Sequence, residues 1–140
     1  MELPSLVYLY LALLAKHLAA DGLFQFLCQC GDKSTPCKKG IWLHSLQVTY
    51  LQLLIVPPFT LYFGYRPSYA TAAIAGSFAV EFGSHFLIDL AKSHWRSRNS
   101  SRMQIRACRV SVFVIDQALH CASLTACVAV VWASFLPLQT

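Results

Sequence analysis

Four long apolar stretches, separated by short polar ones, make up most of the chain. The first covers about residues 3–27 and reads LPSLVYLYLALLAKHLAADGLFQFL; the second covers about 41–65, the third about 68–90 and the fourth about 108–136. Each is long enough to cross a hydrocarbon core, which takes roughly 20 residues at 1.5 Å per residue. Pro57-Pro58 should kink or break the second near its far end. The third is rich in Ala and Gly, which lets a neighbouring helix approach closely. What remains is a short loop at Cys28–Gly40, a turn at Arg66-Pro67 and a basic loop at Lys92–Arg106. No internal repeat or low-complexity tract interrupts this order. The pattern predicts an all-α, integral membrane four-helix bundle, a single transmembrane domain over residues 1–140. Read as a signal peptide, the first stretch would need a cationic start, but it has Glu2 and no Lys or Arg there. Its apolar run is also too long, and no small-x-small cleavage site follows it.

Composition supports a chain whose solvent is mostly lipid. It is 56% apolar and 12% charged, against a usual charged share of about 25%, and its mean hydropathy is +0.52. These values exclude a disordered chain, an ordinary soluble enzyme and a nucleic-acid-binding arm. The net charge of +5 matters through its distribution. Lys33, Lys38 and Lys39 lie in the first loop, and Lys92, Arg96, Arg98, Arg102, Arg106 and Arg109 in or beside the third, whereas the opposite side has only Arg66. By the positive-inside rule both basic loops face the cytoplasm and both termini face out. Cys28, Cys30 and Cys37 then sit in a reducing compartment, where free thiols are expected. Their Cys-x-Cys-x6-Cys spacing matches no usual zinc motif. Cys108, Cys121 and Cys127, inside the fourth stretch, read as small apolar fillers.

The acids sharpen the picture. Of only six, Asp21, Glu81, Asp89 and Asp116 lie inside apolar stretches, as do His17, His85 and His120, with His44 near the start of the second. Ionisable groups in a membrane cost roughly 2.5–3.5 kcal/mol each on insertion scales and default to a functional reading. His17 and Asp21 are four apart, with Gln25 four further on; Glu81, His85 and Asp89 repeat the spacing, as do Asp116 and His120. Residues i and i+4 share a helix face, so each pair presents a nitrogen and an oxygen in one direction. Counted from the basic ends, the four histidines and three aspartates fall within roughly 17 Å of one membrane edge. A bundle can bring them into one polar pocket open to the cytoplasm.

Imidazole suits Zn and Fe, and carboxylate suits Mn; facing helices of bundles build metal centres from such residues. The competing reading is a hydrogen-bonded polar core in which each Asp only orients its His. Gln25, Glu81 and Gln117 are candidates for orienting ligands from behind. Lys16 either snorkels or neutralises an acid, and His94 and Trp95 sit where an interfacial belt is expected.

The segments KHLAADGLFQF, GSHFLIDLAK and FVIDQALHCASL resemble those of a family of small bacterial and phage inner-membrane proteins catalogued as domain of unknown function 3307. That family shares His-x3-Asp near the start, a His opening the second helix, His-x3-Asp-x2-Lys and Asp-Gln-x2-His. The resemblance covers nearly the whole chain and falls on His17, Asp21, Gln25, His44, His85, Asp89, Lys92, Asp116, Gln117 and His120. It implies a multi-pass protein of the bacterial inner membrane and favours a metal pocket, but it supplies no substrate. By looser likeness the layout is similar to membrane-bound metal-dependent hydrolases.

The expectation is therefore a metal-dependent hydrolase acting on an anionic lipid or phosphoester at a divalent Zn, Mn or Fe centre. Asp21, His85, Asp89, Asp116 and His120 are the expected ligands, and His17 or His44 the general acid or base. Lys92, Arg96 and Arg98 at the pocket mouth would suit an anionic group, although ordinary positive-inside topology also accounts for them. Membrane lipids are the expected partners, with a membrane protein or a second copy as further candidates; nucleic acid is not expected. Two other classes compete. One is a non-catalytic interaction protein, such as a phage-type modulator of a host membrane complex. The other is a proton or metal-ion conductor, weakened because beyond His120 the fourth stretch offers only Ser123, Thr125 and Ser134.

Overall fold

The computed structural model of the protein describes residues 3–24 and 39–135. Among them every regular element is helical. Helix α1, Leu3–Leu18, runs into a π-helical turn at Ala19–Phe24; α2 is Lys39–Gln52, α3 Val56–Tyr62, α4 Pro67–Arg98 and α5 Arg106–Phe135. Three stretches, Leu3–Asp21, Pro67–Arg98 and Arg106–Phe135, are long and apolar enough to cross a membrane.

The second expected span departs from a single helix. It is divided into α2, of 14 residues, and α3, of seven. The break falls at residues 53–55, closer to the middle of the stretch than expected, because Pro57 and Pro58 occupy the first turn of α3. A proline there has no N–H to donate back and its ring crowds the preceding carbonyls, while the start of a helix needs no such donor. The chain crosses the gap in tight turns, with Leu53 N–H donating to Tyr50 O and Ile55 N–H to Gln52 O, both at 3.0 Å.

The third span is longer than its apolar stretch. Residues 92–98, read from sequence as loop, continue α4 to Arg98, and Asn99 N–H closes it on Trp95 O at 3.0 Å. Arg96 and Arg98 in the last turn complement the negative end of the helix dipole. Leaving lipid for water also breaks no backbone hydrogen bond. The loop shrinks to residues 99–105, which include a 3-10 turn at Arg102–Gln104.

This short connection makes α4 and α5 an antiparallel pair. α1 packs on α5 and α2, and both α2 and α3 pack along α4. At the crossing of α4 and α5 a Cβ on Gly76 would lie 2.8 Å from Val130 Cγ1, so only glycine lets the helices meet there. Gly64 (φ 66°) turns the chain from α3 toward α4 in the left-handed region. Its N–H donates to Leu61 O and that of Tyr65 to Thr60 O. The Tyr65 hydroxyl then reaches Val131 O on α5 at 2.9 Å.

Burial is inverted relative to a protein in water. Among the described residues, eleven apolar side chains are buried against thirteen polar or charged ones, while Leu11, Leu43, Leu87, Phe113 and Ile115 point outward. Outward apolar surface on this scale fits a lipid solvent. The two kinds of core are separated along the bundle. Leu9, Leu13, Val56, Ala73, Leu124 and Val131 fill the half near the turn at Gly64, where Thr60 is also buried, and the buried histidines, Asp89 and Asp116 lie in the half nearer the basic loop.

Candidate metal centre

Four-residue spacing builds the site. On α4 the buried stripe is Ala73, Ser77, Glu81, His85 and Asp89; on α5 it begins with Asp116, His120 and Leu124. Four residues advance 400° around a helix, so such a stripe drifts slowly and stays against its neighbours over several turns. α1 contributes Lys16 and His17 near its end, the π turn contributes Asp21, and α2 contributes His44. His17, His44, His85, Asp89, Asp116 and His120 are all buried.

These seven His and Asp side chains meet in one cluster. His44 Nε2–H donates to Asp21 Oδ1 at 2.9 Å. Around the same carboxylate stand His85 Nε2, 3.6 Å from Oδ1, and His17 Nε2, 3.7 Å from Oδ2. Asp89 Oδ2 lies 3.6 Å from His44 Nε2 and 4.0 Å from His85 Nε2, and Asp116 Oδ1 lies 3.7 Å from His120 Nε2. The His120 ring is centred 4.5 Å from both His17 and His85. Three groups could each hold a metal ion, with their ligand atoms within 4.8 Å of one another: His17, His85 and His120; Asp21, His44 and His85; and Asp21, Asp116 and His120. Asp21, His85 and His120 each belong to two of these. His17, read from sequence as an acid or base, here stands among the ligand atoms. Asp89 is in none of the three and sits behind them.

Hydrogen bonding leaves the centre of the cluster open. Both ring nitrogens of His17 and of His85, and Nε2 of His120, are buried without a hydrogen-bond partner. Buried polar atoms are normally paired, and several orphaned ones within one cluster are what a bound cation would satisfy. Charge points the same way. The cluster's three aspartates are matched by one ammonium, Lys92, whose Nζ lies 2.9 Å from Asp89 Oδ1 and 2.8 Å from Asp116 Oδ1. With neutral imidazoles the cluster carries a net charge of −2, costly in a low-dielectric interior and equal to what one divalent cation cancels. The residues present fit such an ion.

The remaining expected residues divide around this centre. Gln117 Nε2 donates to Asp116 Oδ2 at 3.2 Å, so it steadies a cluster carboxylate. Glu81 lies deeper, one turn from His85, where its Oε1 accepts from Lys16 Nζ at 2.8 Å. Lys16 thus neutralises an acid. Lys92 is committed to two carboxylates, and Arg96 and Arg98 are exposed at the end of α4. Gln25, Cys28, Cys30 and Cys37 lie outside the described residues. Cys127, read as a filler, contacts Ser77 O and Glu81 Oε2 at 3.5 and 3.6 Å and so joins the polar layer.

Residues 9–140 match a family described as a protein of unknown function (DUF3307). The chain belongs to this family. The match takes in every side chain of the cluster and the Lys16–Glu81 pair. No curated protein and no solved structure matches the chain, so the looser likeness to membrane-bound hydrolases gains no support from relatives.

Sequence reasoning overlooked the inner face of α2. Ser45, Thr49 and Gln52 are buried there beside His44, and neither side-chain atom of Gln52 has a hydrogen-bond partner among the described residues. The signal was present: 41, 44, 45, 48, 49 and 52 form one helical stripe. The uncharged residues in it drew no notice next to the charged ones.

Proposed function

We propose that the protein is a membrane-embedded hydrolase that uses a divalent metal held by the His/Asp cluster to act on an anionic lipid or phosphoester. The observation that carries this reading is the gathering of buried imidazole nitrogens without hydrogen-bond partners beside Asp21 and Asp116, in groups whose ligand atoms lie within 4.8 Å of one another. Asp21, His85 and His120 would be the central ligands, with His17 and Asp116 completing the set. A bound divalent ion would supply an activated water and polarise an ester or phosphoryl oxygen. His44 is placed to pass a proton to or from Asp21 through their hydrogen bond. Lys92 holds Asp89 and Asp116 in position, and Gln117 adds a second donor to Asp116 Oδ2.

In this reading α2 and α3, with 14 and seven residues, together make the fourth crossing. Their combined rise of roughly 30 Å matches a bilayer core, and both lie along α4. The basic loop faces the cytoplasm of a bacterial cell and both termini face out. The metal centre then opens toward the inner leaflet, and the apolar half of the core closes the route to the outer face. That apolar plug disfavours an ion conductor, which needs polar groups along its whole path.

The test is elemental analysis of detergent-purified protein, followed by hydrolysis assays on phospholipids, polyprenyl phosphates and soluble phosphoesters with wild type and Asp21→Asn. Near-stoichiometric Zn, Mn or Fe and turnover lost in Asp21→Asn would support the reading. Metal without turnover of any substrate would move an interaction protein with a structural metal into first place.

A further inference from the structure

A cleft of about 320 Å3 opens on the outside of the bundle between α4 and α5. Its walls are apolar: Ile88 and Ala91 from α4, with Val112, Ile115 and Leu119 from α5, and Trp95 at the end nearest the basic loop. Ile115 and Leu119 are half exposed, so the cleft faces the surrounding lipid rather than the interior. Its polar lining comes from Lys92 and Asp116, the ion pair that forms one wall of the metal cluster. A groove open to lipid thus ends on the side chains of a buried polar site.

The helix register extends this groove into a line of cations. Arg96 lies one turn beyond Lys92 on the same face of α4. Arg109 lies two turns before Asp116 on the same face of α5, with its Nη1 donating to Met103 O at 3.3 Å, so both arginines stand beyond the cleft toward the basic loop. From Ile88 to Trp95 the cleft runs about 10 Å along the helix, and it is too apolar to hold water without cost. Hydrocarbon below and two arginines above match one amphiphile: a lipid with an anionic head group. A zwitterionic lipid would fill the groove equally well but gain little from the arginines, and a soluble phosphoester would gain nothing from the walls.

We infer that the α4–α5 cleft binds one hydrocarbon chain of an anionic inner-leaflet lipid, with its head group at Arg96 and Arg109, and so presents the lipid's head-group linkage to the metal cluster past Lys92 and Asp116. This rests on the proposed hydrolase and narrows its substrate class to a lipid that approaches sideways from the membrane.

Trp95 offers a direct readout. The full chain, with Trp42→Phe and Trp132→Phe leaving Trp95 as the one tryptophan, is reconstituted in dioleoyl phosphatidylcholine containing dibromostearoyl phosphatidylglycerol or dibromostearoyl phosphatidylcholine at equal mole fraction. Bromine quenches a tryptophan it touches. Anionic lipid should quench Trp95 with an apparent affinity about fivefold higher per arginine engaged. Arg96→Gln with Arg109→Gln should bring the two lipids level. Ala91→Phe fills the groove from an exposed position and should remove the preference while leaving metal content unchanged. Equal quenching by both lipids in the parent protein, or a preference that survives Ala91→Phe, would overturn the inference. So would shielding of Trp95 from both lipids, the result expected if a second copy of the chain covers the cleft. Metal analysis of the same samples keeps the two ideas apart. Metal-loaded protein without lipid preference overturns the lipid site alone, and metal-free protein removes the hydrolase while the quenching still decides the cleft.

Discussion

At the scale of single residues, the cluster's members carry unequal weight. Asp21, His85 and His120 each serve two of the three ligand groups, whereas His17, His44 and Asp116 serve one. Replacing His85 by Ala should therefore weaken metal binding by more than about 100-fold, beyond the 10–100-fold typical of groups that only orient a ligand. Gln117→Ala should stay within that smaller range. Competition against a chromophoric chelator measures both, and equal losses in the two variants would contradict the assignment. The Lys16–Glu81 pair gives a second test. Both side chains are nearly inaccessible, so Glu81→Gln strands an ammonium and should cost about 3–5 kcal/mol. Adding Lys16→Met should recover most of that loss in reversible unfolding from detergent micelles. A double variant as unstable as the single one would show that the pair matters for something other than its charge balance.

At the scale of elements, α4 organises the molecule, because α2, α3 and α5 all lean on it. Its two interior glycines behave differently. A Cβ at Gly76 meets stiff, β-branched Val130 at 2.8 Å, while one at Gly83 meets nothing within 4 Å. Gly83→Ala should be neutral or stabilising by up to about 1 kcal/mol from helix propensity. Gly76→Ala gains the same propensity but must push the helices apart, at a typical overpacking cost of about 1–3 kcal/mol. Val130→Ala should rescue it. Thermal melts of the four proteins decide the matter, and a stabilised Gly76→Ala would mean that the helices do not meet there.

At the scale of the whole molecule, orientation and metal are the open variables with measurable consequences. In a background without native cysteines, a cysteine at Ser100 should be shielded from an impermeant thiol reagent in intact cells, and one at Ser68 should be labelled. The reverse pattern would turn the protein over and put the cluster near the outer leaflet. Metal removal should be felt globally, because a net charge of −2 is left buried among four helical segments. Chelator should lower the melting temperature by several degrees, as expected when a ligand bound only to the native state is withdrawn. An unchanged melt would mean that the cluster is content without an ion.

Much of this architecture is written in the local pattern. Apolar length specified helices across a lipid solvent, because an isolated segment in hydrocarbon must satisfy its own backbone. The four-residue spacing of His17 and Asp21, His85 and Asp89, and Asp116 and His120 placed each pair on one helix face, since helix geometry is the same in any fold. What the sequence alone could not decide depended on contacts between distant segments. Glu81 follows the same spacing as His85 and Asp89, yet it turns to Lys16, 65 residues away, because an opposite charge buried at its own depth outweighs a neighbouring turn. Lys92 looked like an anion site at the pocket mouth, but two carboxylates from different helices hold it. The helical extension to Arg98 was hidden because charge ends an apolar stretch without ending a helix. The division of the second stretch at residues 53–55, rather than nearer its end, came from prolines that the next helix could use as its start. The cleft beside Lys92 and Asp116 exists only where α4 and α5 meet, since a groove belongs to two surfaces and neither helix encodes it alone.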